Sequence, residues 1–131
     1  MTSKLKASPK RKSAERRGRR SETIAALFLM CKFYRILGRR MRSRLGEIDL
    51  IALSPAGAIC FIEVKARQNG GLAAEAVLPR QRARIVRAAQ QYIALRPRLA
   101  EAPIRFDIVT VAPRALPRHI RGAWRPDDTV L

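Results

Sequence analysis

The stretch Gly46-Glu47-Ile48-Asp49-Leu50-Ile51-Ala52-Leu53-Ser54-Pro55-Ala56-Gly57-Ala58-Ile59-Cys60-Phe61-Ile62-Glu63-Val64-Lys65 decides how this chain folds. Two runs rich in Ile, Leu, Phe and Val flank Ser54-Pro55-Ala56-Gly57, a turn with Pro and Gly in suitable places. The runs read as strands over 46–53 and 58–65. With the turn centred on Ala56, Asp49 falls opposite Glu63, their Cβ atoms about 4.5–5.5 Å apart. Alternation puts Glu47, Asp49, Glu63 and Lys65 on one face, and Ile48, Leu50, Ile62 and Val64 on the other. The sequence therefore predicts an apolar core face with a patch of carboxylates and one ammonium on its reverse.

Upstream, Tyr34–Met41 reads as another strand. It follows a helix that starts near Ser21, with Ser21 or an upstream residue as N-cap and Glu22 near the positive end of the dipole. Downstream, Gln68–Ala76 reads as a Gly/Ala loop. Pro79–Leu95 reads as a helix with Val86, Ala89 and Ile93 on one face and Arg80, Arg84 and Arg87 on another. Ile104–Val111 is a further strand, and a segment around Ala123–Trp124 packs back on the core. The order α-β-β-β-α-β implies a mixed central sheet flanked by helices.

The 131 residues suit one domain, 21–125, between a disordered basic tail, 1–20, and a short C-terminal tail, 126–131. The formal charge is +18, with 22 Arg against 6 Lys. The guanidinium fork matches phosphate oxygens, so this balance points to nucleic acid. The basic character is not confined to the tail, because the remaining residues also carry a net positive charge. A single histidine, His119, excludes a His-cluster zinc site. Cys31 and Cys60 lie in apolar runs and read as buried thiols of a reducing cytoplasm. The apolar run Ile24–Cys31 is shorter than the roughly 20 residues a membrane span needs.

Two carboxylates facing each other on a sheet repel, and a divalent cation between them removes that penalty. Magnesium takes one or two protein carboxylates plus phosphate oxygens. Lys65 beside them can orient an attacking water or offset charge developing on phosphorus. A bland alternative is an Asp–Lys–Glu ion-pair cluster on a solvated face.

Asp49 followed by Glu63-Val64-Lys65 on the next strand resembles the D…(D/E)xK motif of the restriction-endonuclease-like nuclease superfamily. More closely, Gly46-Glu47-Ile48-Asp49-Leu50-Ile51-Ala52, Phe61-Ile62-Glu63-Val64-Lys65-Ala66-Arg67 and Arg105-Phe106-Asp107-Ile108-Val109 resemble the YraN-like family. Gly18-Arg19-Arg20-Ser21-Glu22, Tyr34-Arg35-Ile36-Leu37 and Ala88-Ala89-Gln90-Gln91-Tyr92 extend the likeness over residues 18–125. The resemblance implies a restriction-endonuclease-like α/β core, with Asp49 and Glu63 as ligands of Mg²⁺ or Mn²⁺ and Lys65 as the catalytic lysine. It also implies Glu22 as an auxiliary acid, as in the Holliday-junction resolvase branch; the alternative is a dipole pairing of Glu22 with a nearby Arg. Glu47 is expected to stand outside the reacting atoms. Where the family carries glycine before the first strand, this chain has Phe33, which implies a different exit angle from the helix.

The resulting expectation is a metal-dependent endonuclease acting on DNA rather than RNA, branched or flapped, with little sequence specificity. Arg67, Arg80, Arg84 and Arg87 would hold backbone phosphates, and a homodimer would suit two-fold DNA. A mobile flap at Asn69-Gly70-Gly71 is an alternative to a plain linker. The rival reading is a non-catalytic nucleic-acid or ribosome-associated binder that keeps the nuclease fold. Asp107 is expected to pair with Arg105 on its own strand face, and Trp124 to plug the core.

Overall fold

The computed structural model describes residues 9–68 and 77–126, with side chains described from Gly18 onward. Helix α1 (Pro9–Cys31) leads into β1 (Arg35–Arg42), β2 (Glu47–Leu53) and β3 (Ile59–Ala66). Helix α2 (Pro79–Ala94) and a 3-10 turn (Pro97–Leu99) follow, then β4 (Ile104–Val111) and β5 (Arg118–Trp124). The strands form one sheet in the order β1-β2-β3-β4-β5. β3 and β4 are parallel and the other neighbours antiparallel. A parallel pair needs a crossover, and α2 is that crossover. The α-β-β-β-α-β core expected from the sequence is present, extended by β5.

α1 begins at Pro9, well before Ser21. Proline suits a first helical position, and the Lys, Arg and Ala that follow are good helix formers. Ser21 is therefore buried mid-helix rather than at a cap, and residues 9–20 are helical rather than a disordered tail. Residues 1–8 and 127–131, the start of one expected tail and nearly all of the other, lie outside the described residues, as does the loop 69–76 with the flap reading.

The exit of α1 is also corrected. Phe33 adopts φ +69°, the left-handed conformation a glycine would take. Its N–H bonds the Met30 carbonyl at 3.0 Å and the Tyr34 N–H bonds the Leu29 carbonyl at 3.0 Å. That is a Schellman ending, so the chain leaves the helix as a glycine would let it.

Both sheet faces are packed. Toward α2 lie Ile48, Ile51, Ile59, Phe61, Phe106, Ile108 and Trp124, against Ile85, Val86, Ala89 and Tyr92. Toward α1 lie Leu50, Ala52, Cys60, Ile62, Val109 and Val111, against Ala25, Ala26 and Leu29. The reverse of the hairpin is thus a second core rather than a solvated patch, and the charged residues sit at its end. Trp124 is buried in that core and stacks on Phe106 with ring centroids 5.5 Å apart. Cys60 is buried, whereas Cys31 is exposed, because it falls on the outer side of α1. No helix among the described residues is long and apolar enough to cross a membrane.

β5 escaped the sequence reading. Pro113, Pro117 and Gly122 interrupt its neighbourhood, and its apolar alternation is weak. It pairs with β4 through Ile108↔Ile120, Val109↔His119 and Thr110↔Arg118.

Candidate functional site

The β2–β3 hairpin holds the expected register: Leu53↔Ile59, Ala52↔Cys60, Ile51↔Phe61 and Leu50↔Ile62. Ser54 closes the turn, its Oγ accepting the Ala58 N–H at 2.9 Å. Beyond Leu50 the pairing changes character. Asp49 Oδ2 accepts the Val64 N–H at 2.8 Å, a carboxylate standing where a strand carbonyl would. The alternation also breaks here, with Leu50 packed toward α1 and Ile48 toward α2 beside Met41. The sequence reading placed Ile48 and Leu50 on one face; the bend of β2 away from β3 at Asp49 rotates Ile48 to the other.

That bend leaves Asp49 and Glu63 in contact. The two carboxyl groups are close enough for the charge on one to favour the protonated form of the other. Gln81 Nε2, near the start of α2, donates to Glu63 Oε1 at 2.7 Å, and Lys65 Nζ lies 3.3 Å from the same oxygen. Burial first, then the Asp49 charge, push the Glu63 pKa up to about 7, against the opposing pull of Lys65. Asp49 is raised too, by burial, against the Val64 N–H, the Glu63 hydrogen bond and Lys65. Glu47 is exposed and pairs loosely with Arg42 at 3.7 Å, and its charge adds to the rise of the Asp49 pKa.

Glu22 approaches from α1. Since α1 starts at Pro9, Glu22 is mid-helix and the dipole reading fails. The Arg pairing survives in another form: Arg40 Nε lies 3.0 Å from Glu22 Oε1. The approach is off the hydrogen-bond direction, so this buried oxygen has a charge neighbour but no hydrogen-bond donor. Burial and then the charge of Asp49 raise the Glu22 pKa, so the third acid sits within electrostatic reach of the pair. Arg40 itself adopts φ +52° inside β1, a conformation that costs about 1–3 kcal/mol for a non-glycine residue.

Of the expected phosphate-binding arginines, Arg80 and Arg84 line a cavity of about 500 Å³ with Gln81, Glu47 and Arg44. The β1–β2 hairpin closes this cavity by packing on α2 at Gly46, where a Cβ would lie 2.9 Å from the Arg84 carbonyl oxygen. Arg87 is exposed on the same helix but does not line that cavity. Arg67 follows β3, its backbone N–H bonded to Val111 and its guanidinium to the Ala66 carbonyl at 3.2 Å. Gln81 and Arg40 were missed from sequence. Both are polar residues among arginines, and only the tertiary fold brings them to the acids.

Sequence reasoning also left His119 alone and paired Asp107 with Arg105. The Arg105 pair is present, with Nε at 2.9 Å and Nη2 at 2.8 Å from the two carboxylate oxygens. Asp107 further binds His119 Nε2 at 2.8 Å and the Gly122 N–H at 3.0 Å. Arg105 reaches on to Tyr34 Oη at 2.6 Å, and His119 Nδ1 meets Lys32 Nζ at 2.8 Å. This network ties β4 and β5 to the connection between α1 and β1 on the face away from Glu63.

The acids at Asp49 suit a hard divalent cation. Ionised together, Asp49 and Glu63 would outweigh the one charge of Lys65, so the pair needs a proton or a cation to balance it, and Glu22 keeps an oxygen without a donor. No group of three His, Cys, Asp or Glu placed to hold a metal occurs among the described residues. Carboxylate oxygens are ligands that Mg²⁺ or Mn²⁺ would take, where zinc favours His and Cys.

Residues 21–111, which span the helix glutamate, the hairpin, α2 and β4, match the sequence profile of the uncharacterised protein family UPF0102. A UPF0102 protein of Bradyrhizobium sp. (strain ORS 278) is 50% identical over 118 residues, 90% of this chain and 83% of its own. Another from Rhodopseudomonas palustris (strain BisA53) is 49% identical over 116 residues, 88% of each chain. One from Parvibaculum lavamentivorans is 46% identical over 114 residues, 87% of this chain and 85% of its own. On the profile match and on these identities, the chain belongs to the uncharacterised protein family UPF0102.

Proposed function

We propose that this chain is a divalent-cation-dependent phosphodiesterase that cuts DNA, branched or flapped forms included, with little sequence preference. The observation that carries the proposal is the buried contact of Asp49 and Glu63, with Lys65 at 3.3 Å, beside a cavity lined by Arg80 and Arg84. Structural ion pairs do not need two carboxylates in contact, and their mutual repulsion is useful only if something positive arrives.

Lewis-acid polarisation of the scissile phosphoryl group is what a cation held by Asp49 and Glu63 supplies. Gln81 holds Glu63 in one orientation. Lys65, partly exposed beside it, orients the attacking water and offsets charge developing on phosphorus. Glu22 tunes the field around Asp49 from the helix side. Arg80 and Arg84 grip backbone phosphates, which fixes position without reading bases. A pair of such chains would match the two-fold symmetry of a four-way junction.

The test mixes the protein with labelled linear, flapped and four-way DNA in EDTA, Mg²⁺ or Mn²⁺. Cleavage is expected only with metal, and Glu63→Gln or Lys65→Ala is expected to lower its rate about 100-fold or more. Wild type that binds every substrate and cuts none under any metal leaves the non-catalytic binder as the reading. Variants that cut as fast as wild type mean that another protein does the cutting, and the proposal fails.

A further inference from the structure

β3 and β4 run parallel, and their carboxyl ends lie side by side at Ala66 and Val111. Open α/β sheets take ligands in crevices outside such ends. A cavity of about 320 Å³ sits at this place, at the low end for a small organic ligand. Gln68, Thr110 and Arg118 give it polar walls, and Pro113 and Leu116 of the β4–β5 connection give it apolar ones.

Lys65, Thr110 and Arg118 form one row across three strands, since Lys65 registers with Thr110 and Thr110 with Arg118. Strands lie about 4.8 Å apart, so the backbone at Arg118 is about 10 Å from that at Lys65. Thr110 is 2% exposed, and its Oγ1 has no hydrogen-bond partner among the described residues. A buried hydroxyl left without a partner destabilises a fold, and valine would fill the same shape without that penalty. Arg118 has no carboxylate partner among the described residues. A cavity with a hydroxyl and a guanidinium that have no such partner among the described residues, an amide and two apolar walls offers the mixed polarity that a nucleotide presents.

We propose that this cavity is a nucleotide subsite for the residue next to the bond cut at Asp49 and Glu63. Arg118 takes its phosphate, Thr110 and Gln68 hydrogen-bond the edge of its base, and Pro113 and Leu116 cover the base's face. Its place beside the cut bond rests on the phosphodiesterase reading; the binding itself does not.

The experiment titrates each of the four 2′-deoxynucleoside 5′-monophosphates into the protein in EDTA and follows backbone amide signals by NMR. Inorganic phosphate and the free nucleosides are titrated separately. The nucleotides are expected to shift Thr110, Ala112 and Arg118, and Thr110→Val to weaken binding at least fivefold while the melting temperature stays or rises. In cleavage of short oligonucleotides, Thr110→Val is expected to raise KM severalfold and leave kcat within twofold. Equal binding by wild type and Thr110→Val, or shifts that map elsewhere, overturn the proposal. Inorganic phosphate that reproduces the nucleotide's shifts and affinity overturns it too, since the cavity is then an anion site. A melting temperature that falls in Thr110→Val shows that the hydroxyl serves the fold, and the proposal is withdrawn. Thr110-dependent nucleotide binding in a protein that cuts no DNA supports the subsite and rejects the phosphodiesterase reading.

Discussion

Asp107 and Glu63 are buried carboxyl groups on neighbouring strands, one register step apart and on opposite faces of the sheet. They live in opposite electrostatic worlds. Around Asp107 burial works to raise the pKa, but hydrogen bonds from His119, Arg105 and Gly122 outweigh it and hold the group below its ordinary value. Around Glu63 the neighbours are another carboxyl group, an amide and one lysine, and the pKa is pushed up to about 7. The first carboxylate is saturated by its own chain. The second is short of positive charge. On the proposed function the difference separates a carboxylate kept for the fold from one kept for a ligand, and burial alone would have ranked them alike.

The largest effect that follows is on stability. Asp107→Ala leaves Arg105 and the buried His119 without their acceptor, and breaking one side of a buried pair costs about 3–5 kcal/mol. Urea unfolding should show that loss, or no folded protein at all. Glu63→Gln in the absence of metal should instead change stability by less than about 1 kcal/mol, since an amide can still bond Asp49 and Gln81 and no carboxyl repulsion remains. A Glu63→Gln loss as large as that of Asp107→Ala would erase the distinction.

The same contrast should reverse the sign of the pH dependence. Glu63 is raised from 4.5 to about 7 in the folded chain, so folding binds a proton there. Its stabilisation is full below 4.5 and is lost as pH rises through about 7. Asp49 and Glu22 are raised as well and slope the same way. Asp107 is lowered from 3.8, so its contribution is full above that value and is lost as pH falls below it. In EDTA the melting temperature of wild type should therefore decline between pH 5 and pH 8 relative to Glu63→Gln. On the proposed function added Mg²⁺ should restore it at pH 8, because an ion bound by the folded form and not the unfolded one stabilises the fold. A wild-type profile parallel to that of Glu63→Gln, with and without metal, would count against a strained carboxyl pair.

How far the sequence carries this contrast depends on whether local pattern or tertiary contact makes each part. The Asp49–Glu63 opposition was legible because the turn centred on Ala56 fixes hairpin register, and Leu53↔Ile59, Ile51↔Phe61 and Leu50↔Ile62 are the pairs that register demands. The bend at Asp49 was not legible. Strict alternation assigns Ile48 and Leu50 to one face, and only packing against α2 and Met41 turns Ile48 over. Gln81 was silent because it is 18 residues from Glu63 in a row of arginines. The Asp107 network was half legible: Arg105 is two residues away on the same strand face, whereas His119 belongs to a strand masked by prolines. The helix start was misplaced because a run of arginines reads as a tail when its helix-forming tendency is discounted.

The smallest effect concerns the joint between the two regions. α1 brings Glu22 toward the carboxyl pair, and the residue after its exit, Tyr34, holds Arg105. Phe33 makes that exit with φ +69° and is 85% exposed. A left-handed conformation costs an L-residue with a side chain about 1–2 kcal/mol, and glycine avoids it. Glycine gives back about 0.4–1 kcal/mol through the greater freedom of the unfolded chain. Little burial is lost, because the ring stands mostly in solvent. Phe33→Gly should therefore stabilise the protein by about 0.5–1 kcal/mol, read as a higher urea midpoint with an unchanged slope. Cleavage and the pH profile should stay at wild-type values, since neither carboxyl environment includes the ring. A lower midpoint would mean that the ring packs on the fold more than its exposure implies, and the joint would then be a contact and not a hinge of backbone alone.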